Sequence, residues 1–142
     1  AAFTIKKLKE EHWYELPIKA FCAGALAYGA REIIGVIAQR PRPFAALSDM
    51  YLLVSPPSSY SFPSGHASAA FALAFTVFIH DRDWGIALFM LAALTALGRV
   101  FVGVHYPIDI VVGALVGCAS GWLIHWFERK EWGRISRALR GR

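Results

Sequence analysis

Charge and cysteine are both scarce in this chain. Only 18% of its 142 residues are charged, against 56% apolar, whereas about a quarter of an ordinary soluble domain is charged. That balance argues against a soluble fold. The two cysteines, Cys22 and Cys118, both lie inside apolar runs. Their spacing excludes a disulfide framework and a thiolate zinc site, and leaves them a packing role. No histidine or carboxylate spacing resembles a metal-ligand set, so neither a metal nor another cofactor is expected. Fifteen basic residues outnumber ten acidic ones, but they collect toward the chain ends without interleaved aromatics or a nucleic-acid motif. A membrane surface is therefore the expected partner, and nucleic acid is not. The opening Ala1–Trp13 stretch is too polar for a signal peptide and reads as an interfacial segment.

What the chain does contain is long apolar runs. Four of them, at 16–38, 64–80, 85–104 and 107–127, approach the about 20 residues that a helix needs to cross a hydrocarbon core. The expected fold is all-α, a polytopic transmembrane helix bundle forming one domain over 1–142, with a basic tail at 128–142. Pro41, Pro43 and Pro56-Pro57 keep the long loop 39–63 out of helix. Part of that loop, Ala45 to Tyr60 with its Met50–Val54 apolar stretch, is expected as an entry wall. Asp81-Arg82-Asp83 makes a tight turn, and Pro107 suits the first position of the last helix. If every run crosses once, most lysines and arginines fall on the side of the chain ends, with only Arg40, Arg42 and Arg99 opposite. The positive-inside rule makes the crowded side cytoplasmic. In the last run Gly113, Gly117 and Gly121 share one helical face, which allows close approach to another helix of the same chain.

Three polar clusters then meet at the outward side. Ser64-Gly65-His66 opens a helix after Ser61-Phe62-Pro63, where free N–H groups and the positive end of the helix dipole favour an oxyanion. Ser64 is the expected cap and Gly65 lets backbone approach the anion. Arg42 and Arg99 carry forked, permanent charges suited to phosphate oxygens. Asp109 follows His105 by four residues, so it can reach one ring nitrogen and leave the other free to attack phosphorus. His66 can protonate the leaving oxygen. His80 and His125, at the other side, read as interfacial residues.

Residues 40–43, 61–66 and 98–109 resemble the three signature motifs of the type 2 phosphatidic acid phosphatase superfamily. The resemblance extends over residues 31–125. It implies a bacterial plasma-membrane lipid phosphatase with its site on the extracytoplasmic face, acting on a polyprenyl diphosphate such as undecaprenyl diphosphate through a phosphohistidine. Phosphatidylglycerophosphate, phosphatidate or another lipid phosphate is the alternative substrate. His105 would be the nucleophile, Asp109 its orienter and His66 the acid, with Arg42, Ser64, Gly65 and Arg99 as phosphate ligands. Two positions depart from the family pattern: Gly35 stands where a lysine is usual, and Gly98 where a serine is. They keep open a second alternative, a membrane scaffold with a degenerate site. Arg31, one turn before Gly35, is expected to lean toward the helix N-terminus and away from the site. Arg40 is then the expected replacement countercharge, and Arg31 and Glu32 should face protein or water.

Overall fold

A computed structural model describes residues 15–47 and 52–140, with side chains through Lys130. The expected interfacial segment at Ala1–Trp13 and the Met50-Tyr51 part of the long loop lie outside them. In chain order the helices are α1 (Glu15–Ala38), the single turn α2 (Pro43–Ala46), α3 (Gly65–His80), α4 (Arg82–Phe101) and α5 (Pro107–Arg140). Among the described residues there is no strand. Local chemistry sets the boundaries. Gln39 closes α1 in the left-handed conformation, φ 45°, with its N–H on the Gly35 carbonyl, and Pro41 prevents continuation. Ser64 caps α3, as expected.

Three boundaries move from the sequence reading. The third run was expected at 85–104, but Asp81 caps α4 from Arg82, its carboxylate accepting from the N–H groups of Asp83 and Trp84. Gly103 at φ 79° ends the same helix early, in a region of backbone space that suits glycine. The last helix does not stop at 127 but runs on to Arg140, because no proline intervenes and Glu, Arg and Lys are good helix formers.

Among the described residues three stretches, Glu15–Ala46, Arg82–Phe101 and Pro107–Lys130, are long and apolar enough to cross a membrane. The fourth run, α3, has 16 residues, about 24 Å at 1.5 Å per residue, less than the about 30 Å of a hydrocarbon core. The protein is a multi-pass membrane protein, and its packing is that of one. Buried hydrophobic positions are mostly alanine: Ala23, Ala27, Ala67, Ala72 and Ala74 have no exposure at all, whereas Phe21 is 74%, Ile37 79% and Phe101 86% exposed. In lipid nothing drives large apolar side chains inward, so small residues take the contacts and large ones face outward.

The helices α3 and α5 run parallel, in matched register. A Cβ added at Gly113 would lie 2.7 Å from the Ser64 carbonyl oxygen, at Gly117 2.3 Å from that of Ser68, and at Gly121 3.2 Å from that of Ala72. The glycine face is thus an intramolecular contact, as the sequence suggested. Its parallel sense brings two helix N-termini to one end of the bundle. The opposite end is tied by Lys19, which pairs with Glu15 at 3.0 Å and with Glu128 of α5. His80 and His125 stack edge to face there, 6.3 Å apart. At the α3–α4 turn Gly85 is equally constrained, since a Cβ would meet the Phe78 Cα at 2.2 Å.

The glycine contact yields a stability test. Gly117→Ala should lower stability by about 1–3 kcal/mol through overpacking, seen as a lower melting temperature in detergent. Gly24→Ala, where a Cβ meets nothing within 4 Å, should not lower it.

Candidate active site

The eight residues singled out in the sequence, Arg40, Arg42, Ser64, Gly65, His66, Arg99, His105 and Asp109, come together at the end where α3 and α5 begin. The Ser64 N–H donates to the Asp109 carbonyl oxygen at 3.0 Å, which locks the two helix starts side by side. The Ser64 hydroxyl accepts from the Ala67 N–H at 3.5 Å and keeps its own hydrogen for another acceptor. Ser64 is fully buried, whereas His66, two residues on, is exposed.

Asp109 is the hub. Its carboxylate has no solvent exposure. Oδ1 accepts from Arg40 Nη1 at 3.0 Å; Oδ2 accepts from the Tyr106 N–H at 2.9 Å and from the Ser61 hydroxyl. Oδ2 also faces His105 Nδ1 at 3.6 Å, a distance of electrostatic contact rather than of a hydrogen bond. The other ring nitrogen, Nε2, lies 3.4 Å from Arg42 Nη1. A guanidinium only donates, so Nε2 is assigned the lone pair and Nδ1 the proton, directed at the carboxylate. His105 is buried, with Nε2 turned toward Arg42.

The four arginines divide their work in a way the sequence did not reveal. Arg40 is drawn to Asp109 and lies over the Tyr106 ring, 4.0 Å from its centroid; it is an ion-pair partner of the hub. Arg42 donates through Nε to the Ser59 carbonyl at 2.7 Å, through Nη1 to that of Val104 at 2.9 Å, and through Nη2 to Ser59 Oγ at 3.0 Å and the Tyr60 carbonyl at 3.2 Å. It ties the end of the long loop to the loop carrying His105. Arg99, in the last turn of α4, has a buried Nε with no hydrogen-bond partner. Such an atom is costly unless something accepts from it, and an anion would.

Arg31 corrects the sequence reading. Instead of leaning away from the site, its side chain is 4% exposed and rises to the turn before α3, donating to Ser59 Oγ at 3.3 Å and the Tyr60 carbonyl at 3.4 Å. Its Nε approaches the Pro63 carbonyl at 3.5 Å. Glu32 pairs with it, so both have protein partners, as their cost in lipid requires. A charged pair in an apolar run was the signal in the sequence; the direction of the arginine was not. Ser59 accepts through its hydroxyl and its carbonyl and Tyr60 through its carbonyl, roles that no motif marks. At Gly35 a Cβ would lie 3.2 Å from the Phe62 carbonyl oxygen, which leaves little room for a larger side chain. Nothing in the structure explains Gly98, where a Cβ would meet nothing within 4 Å.

The arrangement of an Arg-Pro pair, a helix-opening Ser-Gly-His and a His-Asp pair is matched by one family model, that of the PAP2 superfamily, over residues 17–132. The chain belongs to the PAP2 superfamily. Among PAP2 relatives, the bacitracin transport permease protein BcrC of Bacillus licheniformis is 32% identical over 113 residues, 80% of this chain and 56% of that protein. An undecaprenyl-diphosphatase of Sulfolobus acidocaldarius is 37% identical over 87 residues, 61% of this chain and 42% of that one. The chain thus spans about half the length of these curated relatives. The crystal structure of Aquifex aeolicus LpxE superposes with a TM-score of 0.60 at 31% identity, covering 87% of this chain and 77% of that one.

The hub predicts its own deletion phenotype. Asp109→Ala would strand Ser61 Oγ, the Tyr106 N–H and Arg40 together, and should cost on the order of 2–4 kcal/mol, measured as a lower melting temperature. Asp109→Asn, which keeps an acceptor oxygen, should cost less in the same assay.

Proposed function

We propose that this PAP2 chain is an integral-membrane phosphatase that removes the terminal phosphate of a polyprenyl diphosphate through a phosphohistidine intermediate. The observation that carries the reading is the orientation of His105, with Nδ1 on the Asp109 side and Nε2 toward Arg42. In the first step Nε2 would attack phosphorus and the bond from phosphorus to the bridging oxygen would break. His66, exposed at the mouth of α3, would give its proton to that oxygen as the lipid monophosphate leaves. The imidazolium formed at His105 would be stabilised by the buried Asp109 carboxylate. In the second step His66, now neutral, would take a proton from water as the water oxygen attacks phosphorus. The P–N bond would break, releasing inorganic phosphate and restoring both histidines.

Negative charge on the transferring group would meet Arg99 Nε, the Ser64 hydroxyl and the N–H groups at Gly65 and His66, donors fixed before the reaction. Arg42 can exchange its long contact to His105 for a phosphate oxygen while its backbone anchors hold it in place. This donor set carries the charge without a metal ion. A diphosphate is favoured because the undecaprenyl-diphosphatase is among the relatives. The site end carries few basic residues beyond its own arginines, while Lys19, Arg82, Arg129 and Lys130 lie at the other end, which supports a site on the extracytoplasmic face of a bacterial plasma membrane.

His105→Ala should reduce phosphate release from a polyprenyl diphosphate in detergent to background while leaving the melting temperature near that of the unaltered protein. Activity should persist in EDTA. Full turnover in the variant, or strict magnesium dependence, would sink the mechanism.

A further inference from the structure

Two buried guanidinium groups share acceptors in this bundle. Arg31 and Arg42 both donate to Ser59 Oγ and to the Tyr60 carbonyl, so like charges are held together in a poorly hydrated place. Such proximity is unfavourable unless negative charge is brought to it. Glu32 partly answers Arg31, but its side chain is 46% exposed. Asp109 is already matched by Arg40. Across the site, four guanidinium groups face two carboxylates, which leaves two positive charges. That is the complement of a dianionic phosphoryl group.

The position of Arg31 is specific. A Cβ placed at Gly65 would lie 3.3 Å from its Cδ and Nε, so the guanidinium stem runs directly beneath the glycine of the turn. Its donors reach the carbonyls of Tyr60 and Pro63, which bracket Ser61 and Phe62 and precede Ser64. The aromatic ring of Tyr28, one turn earlier, lies 5.5 Å from its Cζ and closes it from below.

We propose that Arg31 is a positioning residue for phosphate: from beneath the Ser59–Gly65 turn it holds the carbonyls of Tyr60 and Pro63, orients the N–H groups above, and supplies the positive charge for which the first helix has no room at Gly35. It acts through the turn and through Arg42, without touching the substrate. This rests on the phosphatase reading above.

The test uses the full chain in detergent, with orthovanadate affinity by calorimetry and kcat and KM for phosphate release from a polyprenyl diphosphate. Arg31→Gln should weaken orthovanadate binding about tenfold or more and lower kcat/KM alongside, the size expected for losing one charge-assisted interaction. Arg31→Lys, which keeps the charge but not the fork, should fall between Gln and the unaltered protein. A role confined to folding would rank Lys and Gln equally. Equal affinities for the two variants, or an Arg31→Gln protein that binds orthovanadate within about twofold of the original, would overturn the proposal. Should Arg31→Gln fail to fold, Glu32→Gln still decides: removing this carboxylate should tighten orthovanadate binding, and unchanged affinity counts against the charge role. An unaltered protein that neither binds orthovanadate nor releases phosphate would instead overturn the phosphatase reading, and this one with it.

Discussion

One buried carboxylate holds the functional end of this bundle together. Asp109 accepts from Arg40 after α1, from Ser61 in the turn before α3 and from the Tyr106 N–H before α5, and its own carbonyl receives the Ser64 N–H. Segments distant in the chain are thereby fixed relative to His105. A carboxylate in such a place is tolerated only because its oxygens are matched by a charge and by neutral donors. The same matching leaves the histidine ring with its proton on one side and its lone pair on the other.

That arrangement depends in turn on how closely α3 and α5 approach. With glycine at 113, 117 and 121 of α5, the backbone of α3 comes within reach of a missing Cβ, and van der Waals packing replaces the hydrophobic drive that lipid removes. Because the pair is parallel, both positive helix ends lie toward the same end of the bundle. The short α3 opens directly on the polar turn that carries Ser64, Gly65 and His66.

Within the site the arginines are not interchangeable countercharges. Arg40 neutralises the hub, Arg42 braces two loops through backbone carbonyls, Arg31 lies under the turn, and Arg99 retains a buried nitrogen without an acceptor. A planar fork with five donors can brace protein and still face an anion, which an ammonium group cannot do equally well. The division explains how positive charge can accumulate in an apolar bundle: Arg31 and Arg42 are bound to carbonyl oxygens of the loop before α3 and of Val104, and Arg40 to a carboxylate.

The sequence by itself determined the class of the protein and marked eight of the residues that meet at its candidate site. Apolar runs of spanning length, prolines between them and the four-residue glycine spacing are local properties, and each produces its helix, loop or close contact wherever the chain is placed. The His105–Asp109 spacing and the Ser64 cap are local in the same sense, since a helix start fixes both. Tertiary structure alone decided which arginine does what. Arg31 was expected to point away and Arg40 to meet the anion, because a helical side chain has a preferred lean. That lean is a preference worth little against a buried charge that must find acceptors, and the carbonyls that satisfy Arg31 belong to Tyr60 and Pro63, about thirty residues away. Backbone acceptors have no letter in a sequence, so the side chains they capture can be assigned only once the fold has brought them together.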